Sequence, residues 1–209
     1  MRDPAIVDLY RAHDHDYLTA YAKHTDLRVQ ADPHQAVGGN WESTIERDLL
    51  IDQGLRPEHT LLDFACGTGR LARVIVPYLN ERNYTGVDIS SEALAHCERL
   101  AVAEGFASKN PDFSPFLISK HYDFIWAFSV FAHLPSDMAA NLMANLAQLS
   151  PNFYFSYVPT TLPDNQRTGL NQFAHPLSFY EKVARDEGYS LTDIEWPGRK
   201  QRILKMAKE

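Results

Sequence analysis

At 209 residues the chain suits one α/β domain with its own core plus a small appendage. Apolar content of 44% and charged content of 22% set aside disordered and low-complexity classes. A formal charge of −7 without a basic run argues against nucleic acid as a partner, and two cysteines, Cys66 and Cys97, are too few for a disulfide framework or a zinc set.

The N-terminal residues lack an apolar signal core, and no stretch approaches a membrane helix in length, so the expectation is a cytoplasmic protein with reduced thiols and no membrane association. Ile6, Leu9, Tyr10, Tyr17, Leu18 and Tyr21 recur at helical spacing and predict one or two short helices. His13 and His15, with Asp14 and Asp16, are metal-ligand types. On a helix the two histidines point to opposite sides, so a solvated polar face is expected and no metal. Residues 23–40 read as polar and turn-rich, ending Val37-Gly38-Gly39-Asn40, with Trp41 after them. Ser43 and Glu46 form a capping-box pattern opening a helix, whose buried side is Ile45, Leu49 and Leu50 and whose stop is Gly54.

Thr60 to Leu71, TLLDFACGTGRL, is the stretch around which the rest is arranged. Leu61, Leu62 and Phe64 make a buried strand. The chain then turns at Cys66-Gly67-Thr68-Gly69 and enters helical periodicity at Leu71, Val74, Ile75, Tyr78 and Leu79, which Pro77 should kink or end. Strand, glycine turn and helix make the first βα unit of a Rossmann-like sheet, with the glycines letting a ligand lie against the backbone. Tyr84 to Ile89 reads as a second strand carrying Asp88 near its end, at the spacing where such sheets place a ribose-binding carboxylate. Ser90 or Ser91 caps the next helix, with Leu94, Cys97, Leu100 and Ala101 inward and Gly105 as stop. A short third strand is expected near residues 106–109, followed by a proline-broken loop.

A fourth strand is expected from about Asp123 to Ser129, with Phe128 and Ser129 at the carboxyl end, where open α/β sheets bind ligands. A helix starts after Pro135 and buries Met138, Leu142, Leu146 and Leu149. Phe153 to Val158 reads as a fifth strand. Residues 159–175 are too long and turn-rich for a routine connection. Ser178 and Glu181 suggest a second capping box before a helix ending at Gly188. Tyr189 to Trp196 and Gln201 to Ala207 read as a terminal hairpin.

DFACGTG, GVDIS and YDFIWAFSVFAHLP, in this order and spacing, resemble motifs I, II and IV of class I S-adenosylmethionine-dependent methyltransferases, with Ala65 where motif I usually has its first glycine. The resemblance covers roughly residues 36–209. It implies a Rossmann-like, doubly wound, seven-stranded, mostly parallel sheet with a terminal antiparallel hairpin, divided into an N-terminal helical cap at 1–42 and a methyltransferase domain at 43–209. It implies S-adenosylmethionine as cofactor and a small-molecule methyl acceptor, an oxygen or nitrogen of a sugar, lipid or secondary metabolite. Carried over motif by motif, Asp63, Ala65, Cys66, Gly67 and Gly69 would cradle the methionine moiety, with the Asp63 carboxylate toward its ammonium. Asp88 would hold the ribose and Ile89 the adenine. Asn110 or Asp112, the former preferred, would meet the adenine amino group, and Phe128 and Ser129 would lie under the cofactor. The segment 37–41 would touch its methionine end.

A hydroxyl acceptor benefits from a general base, and histidine titrates near neutrality. His133, just after the fourth strand, is the candidate catalytic residue, with His175 second; Tyr10, Tyr17, Trp41 and Tyr157 are candidate pocket walls. Two other readings use the same fold logic: a nicotinamide-dependent oxidoreductase, disfavoured because Gly67-x-Gly69 lacks a third glycine, and a non-catalytic cofactor-binding protein.

Overall fold

The apolar runs spaced between glycine turns become β-strands. The computed structural model describes residues 4–13, 15–36, 43–197 and 201–208, so the expected contact at 37–41 lies outside the described residues. The chain forms two units, residues 1–118 and 119–209.

The first unit opens with three helices, α1 (Pro4–Ala12), α2 (Tyr17–Ala31) and α3 (Pro33–Ala36), followed by α4 (Thr44–Asp52). Then come β1 (Leu61–Phe64), α5 (Ala72–Ile75), β2 (Tyr84–Val87), α6 (Ser91–Ala103), a 3₁₀ turn (Ala107–Lys109) and β3 (Asp112–Ser114). β1 and β2 run parallel, Leu61 opposite Tyr84 and Phe64 opposite Val87. β2 and β3 run parallel, Thr85 opposite Asp112 and Val87 opposite Ser114.

The second unit holds β4 (Phe124–Ala127), a 3₁₀ turn (Phe131–His133), α7 (Ser136–Ala147) and β5 (Phe153–Tyr157). A small ladder of β6 (Gln166–Arg167) and β7 (Phe173–Ala174) precedes α8 (Leu177–Asp186), β8 (Tyr189–Ile194) and β9 (Arg202–Lys208). β4 and β5 are parallel and buried along their whole length, as a sheet covered on both faces requires. β9 is antiparallel to both β5 and β8, the expected closing hairpin. Within the first unit the strand order is β3-β2-β1, and within the second it is β4-β5-β9-β8, seven strands besides the β6–β7 ladder. Among the described residues, no helix is long and apolar enough to cross a membrane.

Several local readings are refined. Residues 23–31, read as turn-rich, continue α2, because that stretch contains neither glycine nor proline; Asp16 accepts from Thr19 N–H at one end and Pro33 follows its end. The third strand lies at Asp112–Ser114, after Asn110, whose φ of 49° makes a left-handed turn. Neither capping box forms. Ser43 makes no side-chain cap bond, while Glu46 turns inward to Arg70; α8 starts at Leu177, so Ser178 is already inside its first turn. The inward stripe of α7 is Ala139, Met143, Leu146 and Ala147: Leu146 is buried as expected, while Met138, Leu142 and Leu149 are only half-buried. Residues 159–175 hold the β6–β7 ladder. Pro77 acts as expected, α5 stopping at Ile75.

Candidate functional site

β1 delivers the chain into a loop with repeated left-handed backbone: Ala65 at φ 60°, Gly67 at 57° and Gly69 at 81°. Glycine adopts this region freely, whereas alanine pays about 1–2 kcal/mol, so Ala65 is held there by its surroundings. Gly67 N–H donates to Asp88 Oδ2 at 2.8 Å, and Ser90 N–H donates to Asp88 Oδ1 at 2.9 Å. The glycine turn and the acid at the end of β2 are therefore joined directly. Burial pushes the Asp88 carboxyl up from its ordinary range, and the backbone N–H bonds of Ser90 and Gly67 oppose that. A carboxylate has about four acceptor positions, so these two bonds leave it capacity for hydroxyl donors. Ile89 beside it is half-open, 41% exposed.

Gly86, not singled out as functional above, shapes the same loop from below. A Cβ there would stand 3.0 Å from Cys66 Sγ, 3.0 Å from Phe113 Cδ1 and 3.1 Å from Tyr84 Cε1. A glycine inside an apolar strand signals such close approach and was visible in the sequence. Cys66 and Cys97 are buried together, Cys97 Sγ–H reaching Gly67 O at 3.2 Å. The hydrogen-bonding neighbour Cys97 and then burial raise the Cys66 thiol, so it stays protonated.

Asp63 is buried at the start of the loop and accepts the Tyr84 hydroxyl at 2.7 Å. Burial pushes its carboxyl up to about 7; the Tyr84 bond opposes this, while the nearby Glu46 carboxylate adds to it. Glu46, fully buried on α4, pairs with Arg70 at 3.0 Å. Neither the Tyr84 nor the Arg70 partnership has a sequence signature, since each joins residues far apart in the chain.

The N-terminal helices meet this region. Thr68 Oγ1–H donates to Pro33 O at 3.1 Å, and the Tyr21 hydroxyl, near enough to Asp88 to feel its charge, is pushed up mainly by burial. Tyr10 is buried and shares a 3.2 Å hydrogen bond with His24. His13 Nε2 faces Lys23 Nζ at 3.0 Å, and among the described residues no cluster of metal-ligand side chains occurs.

Asn110 does not stand at the ligand-facing end of β3. It precedes the strand, is exposed and donates to Glu81 Oε1 at 2.6 Å; Asp112 opens the strand. The residues that follow β3 at the level of Asp88 are Pro115 to Ile118, where Phe116 is 76% exposed and Ser114 O accepts from Asp88 N–H.

In the second unit, Phe128 directly follows β4, in a stack with Trp126 and a tilted contact to Trp196, both at 5.9 Å between centroids. Ser129 takes a left-handed φ of 61°, and its N–H donates to Ser156 Oγ at 2.6 Å. A non-glycine residue held this way at a strand's carboxyl end is a common mark of a ligand-facing turn. His133 Nδ1 lies 2.7 Å from Asn171 O. A carbonyl only accepts, so Nδ1 carries the proton and Nε2 of the neutral ring carries the lone pair. His175 is buried, bonded through Nε2 to Leu134 O at 2.9 Å and through Nδ1 to Asn165 at 3.1 Å. Burial lowers its basicity, and both ring nitrogens are spent on structure.

Residues 62–152 match the family model described as a methyltransferase domain. The chain also resembles solved methyltransferases. Magnesium protoporphyrin IX methyltransferase from Synechocystis PCC 6803 with bound S-adenosylmethionine superposes with a TM-score of 0.75 at 19% identity, covering 93% of this chain and 98% of that one. An S-adenosylmethionine-dependent methyltransferase from Clostridium acetobutylicum gives 0.62 at 15% identity over 90% and 98%. The glycopeptide N-methyltransferase MtfA with S-adenosylmethionine gives 0.65 at 14% identity over 80% and 94%. At these identities the likeness is one of fold.

Proposed function

We propose that this chain is a class I S-adenosylmethionine-dependent methyltransferase and that it methylates an oxygen or nitrogen of a small-molecule acceptor such as a sugar, lipid or secondary metabolite. The likeness of fold to a magnesium protoporphyrin IX methyltransferase and a glycopeptide N-methyltransferase supports that class. The observation that carries the reading is the 2.8 Å bond between Gly67 N–H and Asp88 Oδ2, which brings the flexible-backbone turn and the ribose-type carboxylate to one point.

The residues fit the adenosyl ligand. Asp88 would accept the ribose hydroxyls with its remaining acceptor capacity. Ile89 and the exposed Phe116, in place of Asn110, would flank the adenine with apolar surface. Backbone at Ala65, Cys66, Gly67 and Gly69 would lie against the methionine moiety, and ionised Asp63 would attract its ammonium. Phe128 and Ser129 would supply the floor, and residues 1–42 would cap the domain at 43–209. S-adenosylmethionine, when bound, supplies a methyl already activated by its sulfonium. The protein then needs to orient the acceptor, exclude water and take its proton. His133 is suited to that last task, because its proton sits on Nδ1 and the basic nitrogen is Nε2.

Calorimetric titration with S-adenosylhomocysteine and, separately, NAD tests the reading. Micromolar binding of the first and none of the second is expected, and Asp88→Ala should weaken the first by about 30-fold or more, as two hydrogen bonds to a charged acceptor imply. Failure of S-adenosylhomocysteine to bind the intact chain would overturn the reading. Binding without methyl transfer across a broad acceptor panel would leave a cofactor-holding protein.

A further inference from the structure

The N-terminal helices α2 and α3 meet α6 in a buried cluster of Val29, Ala36 and Ala93. Polar bonds add to that contact. Asp26 Oδ1 accepts Ser90 Oγ–H at 2.6 Å and Glu92 N–H at 3.2 Å, and Gln30 Nε2–H donates to Glu92 Oε1 at 3.0 Å. Ser90 is the hub. Its Oγ accepts from Ala93 N–H at 3.1 Å, and its N–H donates to Asp88 Oδ1. A helix start leaves its first N–H groups without intrahelical partners. Here Ser90 satisfies one within the helix, and Asp26 satisfies another from a different helix, so α2 completes the cap of α6.

The chain Asp26–Ser90–Asp88 thus links the N-terminal helices to the acid at the end of β2. We infer that Asp26 is a positioning residue that clamps α2 onto the 88–90 turn, fixing the Asp88 carboxylate and slowing escape of a ligand held by it. This rests on the reading of Asp88 as the ribose ligand. The hydrogen bonds are what matter, not the charge: Asp26 stands close enough to Asp88 for like-charge repulsion, an electrostatic cost that a neutral acceptor would avoid.

The test compares wild type, Asp26→Ala and Asp26→Asn by hydrogen–deuterium exchange of residues 17–31 without ligand, and by the dissociation rate and affinity of S-adenosylhomocysteine. Asp26→Ala should speed exchange across 17–31 by about fivefold to 30-fold and weaken S-adenosylhomocysteine by a similar factor, mostly through faster dissociation. Asp26→Asn, which keeps an acceptor, should stay within about twofold of wild type on the scale of such bonds. Asp26→Ser, too short to reach both donors, serves the same purpose should Asp26→Ala not fold. Unchanged exchange in the Ala or Ser variant overturns the clamp, as does an Asn variant as loose as Ala. A wild-type chain that ignores S-adenosylhomocysteine overturns the cofactor reading instead, while the exchange measurement still decides the clamp.

Discussion

Replacing Asp63 by asparagine should stabilise the protein at alkaline pH while weakening cofactor binding. In the folded chain burial raises the Asp63 carboxyl from 3.8 to about 7. The unfolded chain releases that proton near pH 3.8, whereas the folded chain keeps it until about pH 7. Between those values the folded state binds more protons, so stability falls as pH rises and the loss is complete above pH 7. About three pH units at 1.36 kcal/mol each set a ceiling of about 4 kcal/mol, of which about 3 kcal/mol accrues between pH 5 and pH 7.5. Asparagine keeps a carbonyl oxygen for the Tyr84 hydroxyl and has no charge to bury. Urea unfolding at pH 5 and pH 7.5, wild type against Asp63→Asn, isolates the effect because other titrating groups cancel in the difference. The variant's advantage should grow by about 1–3 kcal/mol over that interval, and S-adenosylmethionine should bind it about tenfold or more weakly. A stability difference that stays flat with pH would show that Asp63 is solvated or already neutral, and would remove the argument.

Four further outcomes follow from the same geometry. Ala65→Gly should relieve the left-handed strain at φ 60° and raise stability by about 0.5–1 kcal/mol net of glycine's greater unfolded freedom, measured by denaturant midpoint. Gly86→Ala drives a methyl to within about 3 Å of Cys66, Phe113 and Tyr84; it should cost about 1–3 kcal/mol and also lower cofactor affinity, because Cys66 belongs to the loop. His133→Ala should lower kcat by about 100-fold or more with S-adenosylhomocysteine affinity within about twofold, whereas His175→Ala should chiefly destabilise by about 1–3 kcal/mol through its two lost hydrogen bonds.

What the sequence made legible is what short-range pattern encodes. The βα unit around Gly67, the acid at 88, the Ser90 cap and the terminal hairpin each occupy a few adjacent residues, and each stands as expected. Misreadings arose where the decisive partner is distant. Glu46 carries a capping pattern, yet Arg70 draws it inward. The motif-based choice of Asn110 assumed a strand before it, but a proline at 111 and a left-handed Asn110 delay β3 to Asp112. The polar residues of 23–31 look like a loop because α2 buries few apolar side chains; its helix packs through alanine, valine and hydrogen bonds instead.

The charge of the first unit's interior also bears on which cofactor it can hold. Glu46, Asp63 and Asp88 are all buried around the 65–69 loop, and Arg70 is committed to Glu46. With Asp63 ionised, that leaves an excess of negative charge in a low-dielectric setting. A dinucleotide would bring its diphosphate against those carboxylates, an unfavourable match, whereas S-adenosylmethionine brings an ammonium and a sulfonium. Methyl transfer removes the sulfonium charge, so the product should be held less tightly by this field than the substrate cofactor. Affinity for S-adenosylmethionine should therefore rise relative to S-adenosylhomocysteine as pH climbs from 6 to 8 through the Asp63 transition near 7, and Asp63→Asn should flatten that ratio. A ratio independent of pH in the wild type would mean that the buried acids do not face the cofactor's cationic end.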